Sequence, residues 1–112
     1  MKKHAEYLQS ARDKIADPAH WTKRTFAIDE FGKPCNEFSS HSVRWCALGS
    51  LRVACGEYSV KNYRLLDALR TKLNTIAIDH FTSNGIIAVN DDLGHAAVLE
   101  LYDIAIRREK TK

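Results

Sequence analysis

Leu8, Ala11 and Ile15 recur at helical spacing with charged residues between them, and Pro18 closes the run. Residues 3–17 are therefore expected to form an amphipathic helix with one face on the core. Residues 43–55 behave differently. Only Arg44 and Arg52 are charged there, and the apolar positions go nearly all the way round a helical wheel, which marks a helix enclosed by the rest of the protein. Ser39, Ser40 and Ser42 offer it N-caps, and Gly56 offers a C-terminal stop. A third helix is expected after Ser59, whose hydroxyl suits a cap. Tyr63, Leu66, Leu69, Leu73, Ile76 and Ala77 make its core stripe, and Lys61, Arg64, Asp67, Arg70 and Lys72 lie mostly on its wet side. Thr82-Ser83-Asn84-Gly85 ends it, and Ile86-Ile87-Ala88-Val89 is a short apolar run, extended or buried. The last helix covers roughly residues 95–108, with Asn90-Asp91-Asp92-Leu93-Gly94 as the turn and N-cap before it and a basic last turn that suits its dipole.

Between the first two helices the period changes. Asp17-Pro18 suits the start of a short further turn, Thr25-Phe26-Ala27-Ile28 is β-prone, and Asp29-Glu30-Phe31-Gly32-Lys33-Pro34 carries turn chemistry. The resulting expectation is a mainly α fold over residues 1–112, read as a single helical domain. It is a compact bundle of about four helices around a buried central helix, with an irregular arm or small hairpin near residues 22–36.

Composition narrows the class. With 112 residues, 45% hydrophobic and 28% charged, the chain has the balance of an ordinary globular protein, not of a disordered or collagen-like one. No apolar run approaches the length a bilayer needs, and Lys2-Lys3-His4 is followed by no apolar h-region, so a cytoplasmic location is expected. Three cysteines in that setting read as free thiols; Cys46 and Cys55, on one helix, would lie about 13 Å apart along its axis, beyond disulfide reach. The net charge of +3 comes with basic ends: Lys2 and Lys3, then Arg107, Arg108, Lys110 and Lys112. Such ends read as solvated termini before they read as a nucleic-acid footprint, and weak nucleic-acid binding stands as one alternative function.

The sharpest chemical candidate is Cys46. A thiol near a helix N-terminus has its thiolate stabilised, and His95 with Asn90 or Asp91 would complete a cysteine-nucleophile set; His41 and His80 are alternative bases. Against this, Cys46 lies several residues inside the expected helix, where the dipole has faded, and free cysteine is a common core filler. No metal site is expected. The Asn90–Gly94 segment lacks the alternating acids and final Glu of a calcium loop, no Cys-x-x-Cys pair is present, and adjacent Asp79 and His80 diverge by about 100° on a helix. No cofactor motif stands out. Trp21, Phe26, Phe31 and Phe38 lie in or beside the arm, where aromatics either pack it down or present a binding patch, and Trp21, Phe26 and Phe31 are the candidate binding residues.

Val43-Arg44-Trp45-Cys46-Ala47-Leu48-Gly49-Ser50-Leu51, preceded by Asp29-Glu30-Phe31-Gly32-Lys33-Pro34 and followed by Asn90-Asp91 and residues 98–106, resembles a family of small bacterial and phage proteins of unknown function. The resemblance covers most of the chain from Trp21 onward. It implies a compact, mainly helical domain and marks Trp45, Cys46, Gly49, Asn90 and Asp91 as the matching positions, but it supplies no activity, substrate or cofactor. The reading that follows is a non-enzymatic binding or regulatory module with a macromolecular partner, protein before nucleic acid. The alternative is a cysteine-dependent hydrolase or transferase using Cys46 and His95.

Overall fold

A computed structural model describes residues 2–57 and 59–111. Helix α1, His4–Lys14, buries Leu8 and Ala11 as its stripe requires, and Ile15 at its C-cap is also fully buried. Asp17 then caps a 3-10 turn, Pro18–His20, by accepting the Ala19 N–H.

The arm is a small antiparallel sheet of three strands: β1, Ala27–Asp29; β2, Pro34–Cys35; and β3, Ser42–Trp45. Strand β1 is the middle one, and the turn from Asp29 to Lys33 closes the expected hairpin. The Asp29 carboxylate accepts the N–H groups of Phe31 and Lys33, which is the turn chemistry of an Asp at that place.

Strand β3 corrects the expected central helix. Residues 43–45 are extended, paired to β1 with Ala27 opposite Trp45 and Ile28 opposite Arg44. Helix α2 runs only over Ala47–Cys55, and its cap is Cys46; none of the three serines serves as one. The continuous apolar run of residues 43–55 therefore holds a strand and a helix end to end. Gly56 does close α2, at φ 96°.

Helix α3, Val60–Phe81, is capped by Ser59 through the Asn62 N–H and buries Leu66, Leu69, Leu73, Ile76 and Ala77; Tyr63, placed on that stripe by spacing, is half exposed. The apolar run after Gly85 is helical: a single turn α4, Ile86–Ala88, passes into a π-helical turn, Val89–Leu93. Helix α5, His95–Lys110, follows Gly94 without a side-chain cap, so Asn90-Asp91 is not the cap it resembles.

Helix α1 packs on α2 and α5, and α3 closes the ring by packing on both α2 and α5. Helix α2 is thus one side of a four-helix ring, although it is buried on most of its faces. The core fills the ring with Leu8, Ile15, Leu51, Leu69, Leu73, Val98, Leu101 and Tyr102, all without exposed surface. Among the described residues no helix is long and apolar enough to cross a membrane.

Candidate functional site

The junction of β3 and α2 is built by close backbone approach. The Cys46 N–H donates to the Phe26 carbonyl at 3.1 Å, which pins the start of α2 to the residue before β1. Gly49 faces that carbonyl so closely that only a hydrogen fits. The Cys46 Sγ accepts the Gly49 N–H at 3.2 Å, the position a serine or aspartate oxygen takes in an ordinary N-cap. The Ala47 carbonyl accepts from the Ser50 hydroxyl and from the buried Tyr102 hydroxyl at 2.7 Å.

Asn90 completes the junction from the π-helical turn, where it is 2% exposed. Its Oδ1 accepts the indole N–H of Trp21 at 2.8 Å and the Ala47 N–H at 2.9 Å; its Nδ2 donates to the Thr22 carbonyl and to Asp91 Oδ1. Two donors at one end and two acceptors at the other fix which way the amide points. One side chain therefore joins the segment at Trp21, the start of α2 and the turn before α5. Asp91 extends the network by accepting the Arg24 N–H on the same Oδ1 at 2.9 Å.

Beside this network lies an open cavity of about 350 Å³. Phe26, Leu48 and Ile87 give it apolar walls, Cys46 and Asn90 border it from the network, and Arg24, Thr25 and Asp91 form its polar side. Phe26 and Ile87 are 42% and 56% exposed. A second cavity of about 450 Å³ shares Leu48, Ile87 and Asp91 with the first and continues toward Arg70 and Asn74.

The structure brings Cys46, Asn90 and Asp91 of the candidate nucleophile set together and places His95 elsewhere. His95 Nε2 donates to the Ile15 carbonyl at 2.7 Å, its ring lies 5.5 Å from that of Trp21, and it does not line the cavity. His41 and His80 are exposed and lie against Glu30 and Glu100. Burial pushes the Cys46 thiol up from its ordinary pKa and the nearby Asp91 charge adds to this, while N–H groups including those of Gly49 and Leu48 oppose it. The thiol is neutral at neutral pH, the reverse of an activated nucleophile.

The aromatic candidates divide. Trp21 is half buried with its N–H spent on Asn90, Phe26 forms a cavity wall, and Phe31 stands exposed in the β1–β2 turn. Arg24, Leu48 and Ile87 escaped the sequence reading, because each looks like an ordinary surface or core residue within its own segment. So did the ion pair of buried Glu37 with Arg52, at 2.5 Å, whose guanidinium also lies over the Phe26 ring. Among the described residues no cluster of His, Cys, Asp and Glu is arranged to hold a metal.

No curated protein and no solved structure matches this chain. A profile of the family of unknown function DUF6197 matches residues 1–108. With nearly its whole length covered, the chain belongs to that family.

Proposed function

We propose that this chain is a small non-enzymatic binding or regulatory module, of bacterial or phage origin and cytoplasmic, whose binding site is the cavity between Phe26, Leu48 and Ile87 and whose partner is a protein. One observation carries the reading: the groups a cysteine enzyme would need free are spent on the fold. Cys46 caps α2, Asn90 has all four of its amide hydrogen bonds made, and His95 is held by Ile15. What remains open to solvent beside them is an apolar recess with a polar rim, the usual character of a recognition pocket.

Capture on the immobilised protein tests this. A partner retained by the wild type should be lost with Ile87→Ser or Phe26→Ser, both at half-exposed positions, while the circular dichroism spectrum stays unchanged. Two results defeat the reading: turnover of a substrate, or rapid alkylation of Cys46 below its ordinary pKa in a protein with Cys35 and Cys55 replaced by Ala.

A further inference from the structure

The cavity beside Cys46 is bordered by two opposite charges that do not neutralise each other. Arg24 and Asp91 both line it, yet among the described residues the Arg24 guanidinium makes no ion pair or hydrogen bond, with Asp91 or with anything else. Asp91 spends Oδ1 on the Arg24 N–H and on Asn90 Nδ2, and its Oδ2 carries no hydrogen bond among those residues. Arg24 sits at φ 71°, a left-handed conformation that glycine, and to a lesser degree Asn and Asp, adopt more readily than arginine, and its N–H bond to Asp91 holds it there. A strained residue thus presents an unpartnered cation at the edge of an apolar recess, next to a carboxylate anchored by one oxygen only.

We infer that this cavity binds a free α-amino acid with an apolar side chain. The carboxylate meets the Arg24 guanidinium, the ammonium meets Asp91, and the side chain lies over Phe26, Leu48 and Ile87. The inference rests on the reading of this cavity as a binding site and adds a small ligand within it, the protein partner meeting the rim at the exposed Phe26 and Ile87. Charge decides the class. An apolar acid would satisfy Arg24 and be repelled by Asp91, an apolar amine the reverse, and an uncharged ligand would desolvate both without return. A zwitterion complements both charges at once. Size agrees: about 350 Å³ is at the small end of ligand pockets, which run from about 300 to 1,000 Å³, and suits a molecule of leucine's size better than a nucleotide. The neutral Cys46 thiol adds no competing charge.

The test is a titration of the isotope-labelled protein with L-leucine, N-acetyl-L-leucine and L-leucinamide, followed by the amide signals of Arg24, Phe26, Leu48 and Ile87. Leucine should give saturable shifts confined to these residues and their neighbours. Each single-charge derivative should bind about tenfold more weakly, the effect of losing one charge-assisted hydrogen bond at a half-exposed site. Arg24→Gly, which suits φ 71°, should keep the fold and weaken leucine by about tenfold. Absence of saturable shifts at millimolar leucine overturns the inference. So does unchanged binding in Arg24→Gly, or a derivative binding as tightly as leucine, which would assign the site to the terminus of a polypeptide. If leucine fails while capture still depends on Ile87, only this inference falls; if capture is also absent, the binding-module reading falls with it.

Discussion

Alanine at an interior helical position usually stabilises a helix relative to glycine by about 1 kcal/mol. Gly49, the third residue of α2, should do the opposite. A Cβ built there stands 2.2 Å from the Phe26 carbonyl oxygen, 3.0 Å from its carbon and 3.3 Å from Cα. The shortfall from ordinary contact is about 1 Å, against backbone and not against a side chain that could swing away. Phe26 has little freedom to yield, because its carbonyl accepts the Cys46 N–H and the next residue, Ala27, is paired on both sides in the sheet. Relief must come from moving the start of α2. Overpacking of this kind costs about 1–3 kcal/mol, and separating Cys46 from Phe26 adds about 1. After the gain in helix propensity, Gly49→Ala should lose about 1–3 kcal/mol. With a urea slope of about 1–2 kcal/mol per M for a chain of this size, the midpoint should fall by about 0.5–3 M in a circular dichroism titration. The displaced cap should also expose the Cys46 thiol, so alkylation should quicken below the unfolding transition. A midpoint equal to or above that of the wild type, with the slope unchanged, would refute the account of this junction.

Asn90→Leu, close in volume, should cost about 3–5 kcal/mol by stranding the Trp21 and Ala47 N–H groups and the Thr22 carbonyl; Asn90→Asp keeps both donors but sets a second carboxylate oxygen against Asp91 and Thr22, and should fall between Leu and wild type at acid pH. Equal stability of Asn90→Leu and wild type in urea would show that the network holds nothing together. Burial pushes the Cys55 thiol up to about 11. Below about pH 8.5 that thiol is protonated folded and unfolded alike, whereas above it only the unfolded chain releases the proton, so stability should fall with rising pH until about 11. Over that window the slope of stability against pH should be shallower in Cys55→Ala by about 1.4 kcal/mol per unit, and parallel slopes would refute the assignment.

The helical stripes were readable because each is local: Leu8, Ala11 and Ile15, or Leu66, Leu69 and Leu73, announce their face within a few turns, and Ser59 and Asp17 announce their caps. The hairpin was readable from its turn. Strand β3 was not, because Val43 and Trp45 become a strand only through pairing with β1, and that choice is made by a partner more than a dozen residues away. Cys46 was read as interior to a helix for the same reason, although its role as cap follows once the helix is shortened. Asn90 and Asp91 carry a structural role that their sequence context does not show. In sequence they look like a turn, while in the fold their meaning depends on Trp21, Thr22, Arg24 and Ala47, which no spacing rule connects to them. The cavity is legible only in three dimensions, since its walls come from three separate segments.

The Asn90 amide has a consequence for how the protein assembles. Its bonds to Trp21, Thr22 and Ala47 span 69, 68 and 43 residues. Closing loops of that length carries its full entropic cost before any of these bonds forms, and each bond fixes the position of the next. A partly ordered chain therefore gains little from the amide: the contacts within α1 or α3 are local, whereas the recess beside Cys46 needs three distant segments in place at once. Whatever occupies that recess reports on completed folding, and a ligand held there would draw the chain toward completion by mass action.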